Sequence, residues 1–170
     1  MQRRKLLHLS LMVGSASLMA GCGFRLRGSV DVKFAFQTLF SGFPPNSGIG
    51  QEFKRQASIH GLSVIDDAAT ASTAQVVLRV LEERRDRVIV GSGVAGQVNA
   101  IQLRLRLKFS LFTTQGKSLL EEVEISQQRE MSYSESAALS KESEEQALYN
   151  DMQSEIAQQL LRRLAAIKSL

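Results

Sequence analysis

Residues 101–111 read Ile101-Gln102-Leu103-Arg104-Leu105-Arg106-Leu107-Lys108-Phe109-Ser110-Leu111, the most regular stretch of the chain. Apolar residues hold the odd positions and polar ones the even positions. Such alternation marks a β-strand with one face in a core and the other in water or against a partner. Thr113-Thr114-Gln115-Gly116-Lys117 follows as a tight hairpin, with Gly116 suited to the left-handed region. If Thr113 faces Lys117, Leu107 opposes Val123 and Leu105 opposes Ile125 on the core side. Outside, Lys108 then opposes Glu122 and Arg106 opposes Glu124. Both faces agree on one register, and a one-residue slip reverses every side chain. On this reading Arg106 and Lys108 serve cross-strand ion pairs, each ~0.2–1 kcal/mol, rather than a ligand.

Upstream, alternation already starts near Ala74. Val76, Leu78 and Val80 alternate with Val77, Arg79 and Leu81, the beginning of a strand buried on both faces, before the run turns charged at Glu82-Glu83-Arg84-Arg85-Asp86-Arg87. Between this strand and the next lies Gly91-Ser92-Gly93-Val94-Ala95-Gly96, literally a GxGxxG string. A phosphate cradle of that kind needs a helix N-terminus after it, and here a strand follows. The segment is therefore read as a flexible hairpin tip. Val88, Ile89, Val90 and Val94 make it unusually apolar, so Val90 and Val94 either meet a partner or lipid or fold back on the core.

Nearer the start, Lys33–Phe40 alternates as a first strand, and Ser41–Gly48 with Pro44-Pro45 is a loop. Ile49, Phe53 and Ala57 recur at helical spacing, with Gly61 as the stop and His60 as a surface cap residue. Leu62–Ile65 is a brief strand and Asp66–Thr73 a polar linker. Past the hairpin partner, Gln128–Ser136 is expected to leave the sheet. A long final helix spans about Leu139 to Ile167, with Ser140 as N-cap and Leu148, Met152, Ile156, Leu160, Leu164 and Ile167 as its apolar stripe. The fold expected is α/β (α+β): a two-layer sandwich with a mostly antiparallel sheet of about four strands. A short helix and a long C-terminal helix cover one face.

The first residues are of another kind. Arg3, Arg4 and Lys5 precede an apolar run from Leu6 to Met19, shorter than the ~20 residues of a membrane-spanning helix. Met19-Ala20-Gly21-Cys22 resembles a bacterial lipobox, in which the cysteine is acylated and becomes the new N-terminus. The plain alternative is an ordinary signal peptide followed by a free thiol. The lipobox reading makes 1–21 a removed signal and 22–170 one periplasmic domain, anchored by N-acyl and S-diacylglycerol lipid on Cys22. Several acyl chains, at ~0.8 kcal/mol per buried CH₂, hold such a domain firmly at a bilayer. By resemblance to lipoprotein sorting in two-membrane bacteria, Gly23 after the cysteine favours the periplasmic face of the outer membrane.

Charge and composition restrict the function. Of 21 Lys and Arg against 17 Asp and Glu, three basic residues and no acidic one lie in 1–21, so the remainder is nearly neutral. The basic pI near 9.5 is thus largely a property of the signal, and nucleic acid is not an expected partner. Residues 22–170 contain one histidine, His60, and no CxxC or HExxH. Neither a metal site nor a catalytic constellation is expected.

Cys22-Gly23-Phe24-Arg25-Leu26-Arg27-Gly28, an early strand and helix, a meander and a long final helix together resemble the LPS-assembly lipoprotein family LptE. Gly96-Gln97 and Ala138-Leu139-Ser140-Lys141-Glu142 add to the likeness. The resemblance implies a non-enzymatic lipoprotein that assists assembly of the LptD β-barrel, plugs it, and binds lipopolysaccharide on its way outward. It also implies a small α/β sandwich with two helices on one sheet face, in agreement with the pattern above. Of the family's two positive contacts, one falls on Lys141. The other falls in the loop before Gly96-Gln97, where Val94 and Ala95 stand instead, leaving Arg84, Arg85 and Arg87 nearby as conceivable substitutes. The alternative is a generic envelope scaffold or pilot lipoprotein for another barrel, without lipopolysaccharide binding.

Overall fold

The computed structural model describes residues 33–94 and 96–170. Cys22, the signal, the segment at 23–28 and the division at residue 22 lie outside the described residues. The elements are β1 Thr38–Ser41, α1 Gly48–Ile59, β2 Ser63–Ile65, β3 Val76–Ser92, β4 Val98–Thr113, β5 Ser118–Ser132 and α2 Ala138–Ala165. Short 3-10 turns at Ala68–Thr73 and Glu135–Ala137 lead into β3 and α2.

Five strands form one mixed sheet in the order β2-β1-β3-β4-β5, where about four were expected. β1 runs parallel to both β2 and β3, while β3, β4 and β5 are antiparallel. β1 begins only at Thr38, because the preceding phenylalanines pack instead of pairing. The Phe34 and Phe36 rings lie 5.9 Å apart, and Phe36 is buried. The loop after β1 is held where Gly42 N–H donates to Leu78 O at 2.9 Å, and a Cβ at Gly42 would sit 2.5 Å from that oxygen. Ser47 then caps α1, its side chain accepting from Gly50 N–H at 2.7 Å. At the far end of that helix His60 is the C-cap, its N–H bonded to Ala57 O.

The odd-numbered face of β4 is the floor of the core. Leu103, Leu105, Leu107, Phe109 and Leu111 are completely buried, as are Ile49, Phe53 and Ala57 of α1 and Met152, Ile156, Leu160 and Leu164 of α2. Leu148 and Ile167 complete the α2 stripe as partly buried neighbours. Both helices thus cover one face, as their periodicity demands. The even-numbered face, carrying Gln102, Arg104, Arg106 and Lys108, is the open one.

The hairpin register corrects the expected one. Near the turn, Phe112 faces Ser118, and Gly116 adopts φ +87° as its position requires. Two irregularities then give β5 two extra residues, so Leu107 meets Ile125, Lys108 meets Glu124 and Arg106 meets Ser126. One bulge would have turned Glu122 and Glu124 toward the helices. Two restore the faces, which is why both registers satisfy the same alternation.

A single bulge does the opposite in β3. The ladder passes from Val80 opposite Phe109 to Glu82 opposite Lys108, leaving Leu81 unpaired and 47 % exposed. Before it, Val76, Leu78 and Val80 face the helices. After it, Glu83, Arg85, Arg87 and Ile89 do, since they oppose Leu107, Leu105, Leu103 and Ile101.

Two boundaries differ from expectation. Gln128–Ser132 stays in β5, because Met131 packs beside Ile101 and Arg129 finds a carboxylate on α2, Glu155. Ser140 is not the N-cap: α2 starts at Ala138 out of the 3-10 turn, without a side-chain cap, and Ser140 Oγ donates back to Ala137 O at 2.9 Å.

Candidate functional site

The free ends of β3, β4 and β5 and the start of α2 lie at one end of the sheet. The β3–β4 turn closes with Gly93 N–H on Gln97 O at 2.7 Å and Gly96 N–H on Gly93 O at 3.0 Å. No helix follows it, so the GxGxxG string is a hairpin tip. Val94 is fully exposed, and Ile89 and Val90 are 59 % and 45 % exposed. Leu139, at the beginning of α2, is 84 % exposed.

Below this rim the helix-side charges of β3 meet aromatic rings. Arg85 lies 4.9 Å over the Tyr149 ring, and Arg87 lies 5.2 Å over Tyr133 with Glu145 at 3.9 Å. Tyr149 OH donates to Asp86 O at 3.2 Å, and burial raises its phenol above the ordinary value of 10.0. A guanidinium over a tyrosine contributes ~0.5–1 kcal/mol at such exposed sites. Lys141 Nζ donates to Ser132 Oγ at 2.9 Å and pairs with Glu144 at 2.7 Å. Lys141 and Arg87 therefore converge on adjacent residues, Ser132 and Tyr133, although far apart in sequence.

Arg84 is placed elsewhere. On the open face it donates to Asp86 Oδ1 at 2.7 Å, and Arg106 donates to Asp86 Oδ2 at 3.0 Å. These bonds, that of Arg84 first, hold the Asp86 carboxyl below its ordinary range. Asp86 in turn raises the Arg106 pKa. Lys108 reaches Glu122, Glu124 and Glu82 at 3.6, 3.8 and 3.9 Å. Arg106 and Lys108 thus make cross-strand ion pairs, with Asp86 rather than Glu124 as the partner of Arg106.

Tyr133, Tyr149, Ser132 and Asp86 were not singled out from sequence. The sequence carried no signal for them: both tyrosines of the chain have an arginine on their ring, but the partners are brought together only by the fold. Among the described residues no cluster of three or more His, Cys, Asp or Glu has metal-binding geometry, and no helix is long and apolar enough to cross a membrane.

A two-layer α/β sandwich of this kind is the class of domain seen in solved lipoprotein structures. Lipoprotein B of Nitrosomonas europaea superposes with a TM-score of 0.68 at 28 % identity, covering 85 % of this chain and 91 % of that one. A minor lipoprotein of Acinetobacter baumannii shares the fold with a TM-score of 0.64 at 22 % identity, over 79 % of this chain and 94 % of its own. Residues 36–164 match the sequence model of LptE, described as lipopolysaccharide-assembly, and the chain belongs to that family. The LPS-assembly lipoprotein LptE of Pectobacterium atrosepticum is 29 % identical over 160 residues, 93 % of this chain and 85 % of its own. That of Yersinia pestis is 27 % identical over 162 residues, 94 % of this chain and 76 % of its own.

Proposed function

We propose that this chain is an outer-membrane lipoprotein, anchored at its periplasmic face through acylated Cys22, that assists assembly of the LptD β-barrel, plugs it, and binds lipopolysaccharide in transit. It acts by binding and not as an enzyme. The observation that carries this reading is the family match across residues 36–164, almost all of the sandwich. Lys141, Arg85 and Arg87 supply positive charge at the tip end, while Val90 and Val94 offer apolar contact to the barrel or to lipid. Attraction of lipopolysaccharide phosphates to these cations is salt-sensitive.

Extraction in mild detergent from cells making both proteins is expected to recover the chain with LptD. Failure to recover the pair overturns the reading. Intact mass of the mature N-terminus tests the anchor, and an unmodified thiol at Cys22 removes it.

One observation favours a second reading, a pilot lipoprotein for another barrel that does not bind lipopolysaccharide. The Lys141 ammonium is already engaged by Glu144 and Ser132, and Arg87 by Tyr133 and Glu145. Lys141→Glu decides between them: weakened lipopolysaccharide binding supports the first, unchanged binding the second.

A further inference from the structure

On the open face, β3, β4 and β5 align two rows of side chains: Asp86, Arg104 and Gln128 in one, Arg84, Arg106 and Ser126 in the next. This grid holds three guanidiniums and one carboxylate. Both oxygens of that carboxylate are taken, Oδ1 by Arg84 and Oδ2 by Arg106. Arg104, directly across from Asp86, is left with a neutral acceptor, Gln102 Oε1 at 2.6 Å. Arg106 Nε is buried with no acceptor, so the hydrogen bonding of that guanidinium is incomplete.

The third strand sharpens the imbalance. Open-face positions of β5 read Glu124, Ser126, Gln128 and Glu130, opposite Lys108, Arg106, Arg104 and Gln102. Carboxylates stand at both ends and are missing where the two arginines are. Cross-strand pairing would place glutamates at 126 and 128. The chain has a hydroxyl and an amide, groups that can donate to an oxyanion. Around them the surface sinks into a concavity of ≈ 580 Å³ lined by Arg104, Arg106, Ser126, Gln127, Gln128 and Arg129.

We propose that this concavity is an oxyanion site, in which Arg104 and Arg106, with Ser126 and Gln128, bind a phosphate group. Its four binding groups lie on the sheet face opposite α2 and Lys141, with Gln127 and Arg129 bordering it at the β5 edge, and it does not rest on the reading of the tip cluster. The phosphate belongs either to a lipid headgroup or to free phosphate, and the guanidinium fork recognises both alike.

The test uses the full acylated chain in detergent micelles. Inorganic phosphate is titrated against sodium chloride of matched ionic strength, while the arginine Nε–H resonances are followed by NMR. Saturable shifts of Arg104 and Arg106 with phosphate are expected, absent with chloride. Arg104→Gln should weaken the response about tenfold, the loss of one charge-assisted contact. Gln128→Glu supplies the missing carboxylate, so it should abolish the shifts while leaving the fold as thermostable or more so. That separates loss of the site from loss of structure. Lys141→Gln should leave the titration unchanged.

Purified lipopolysaccharide added to the phosphate-saturated protein identifies the source. Displacement of phosphate assigns the site to a phosphorylated lipid headgroup, and no displacement assigns it to free phosphate. Equal response to chloride and phosphate overturns the proposal, as does full binding in both Arg104→Gln and Gln128→Glu. Copurification with LptD is unaffected by either result, so the two readings fail separately.

Discussion

The two halves of β3 are made of one strand but do different work. Up to Val80 its helix-side residues are aliphatic, with Val76 and Leu78 completely buried beneath the helices. Beyond the bulge at Leu81 the same side carries Glu83, Arg85, Arg87 and Ile89, covered in part by tyrosine rings. The first half is core, and the second is a surface held in place by the first. Cohesion is concentrated at the end where β1 and the helices pack, which leaves the other end of the sheet free to vary its contacts.

The strongest test of that division is truncation at each end. Phe109→Ala, opposite Val80 and completely buried, should cost about 3–5 kcal/mol in denaturant unfolding. Ile89→Ala, 59 % exposed near the tip, should stay within about 0.5 kcal/mol. Comparable losses at both sites would mean that the tip belongs to the core.

A smaller effect is expected at the seam between cation cluster and core. Tyr149→Phe removes the hydrogen bond to Asp86 O and should cost about 1 kcal/mol. The same residue sets an alkaline dependence. Its folded pKa is raised, chiefly by burial, so its contribution is complete below the unfolded value of 10.0 and is lost as pH climbs through the folded one. Unfolding curves between pH 8 and 11 should show wild type losing more stability than the phenylalanine variant. Asp86 behaves in the opposite sense: its lowered pKa means stability is lost as pH falls below the unfolded value of 3.8.

Much of this architecture was legible in the chain because apolar residues at a period of two or near four admit few alternatives. β4, the α1 stripe and the α2 stripe were readable for that reason. What escaped reading was offset that leaves the pattern intact. The two extra residues of β5 shift the pairing by two and keep every side chain on its face, so alternation carries no trace of them. The bulge at Leu81 hides where apolar residues give way to charged ones, so no change of phase is visible. Gln128–Ser132 looked like a loop because its strand is held by Glu155, far away on α2. At the candidate site, Lys141, Arg84, Arg85 and Arg87 were nameable as charges, but sequence did not tell which sheet face each one takes. Arg104 faces no carboxylate in either register, but Arg106 was matched with Glu124, and that it faces Ser126 instead depends on the true register.

Deleting Leu81 tests the reading of the bulge. Without it Val80, Glu82 and Glu83 continue in plain alternation against Phe109, Lys108 and Leu107, so no downstream side chain changes face. The variant should fold with a stability change of about 1 kcal/mol or less, and NMR should show the pairs from Glu82 onward retained. A collapse of the fold would mean that the kink itself positions the second half.

The mildest expected change is at Lys108, and it bears on how the strands choose their register. Its ammonium lies within 4 Å of Glu82, Glu122 and Glu124, and two of these, Glu122 and Glu124, are its partners in the expected and the observed pairing respectively. A charge that is satisfied either way cannot select between registers. Lys108→Gln should therefore cost only about 0.5 kcal/mol, less again at 1 M salt, with the Leu107–Ile125 pairing intact by NMR. The choice must then lie in the buried row, where the two-residue shift places Ile125 beside Leu107 and Met131 beside Ile101 under α2. A variant that slid to the shorter register would still set Ile125 beside a buried leucine, Leu105, but would move Met131 from Ile101 to Asn99, so the far end of the apolar row, and not the ion pairs, separates the two alignments.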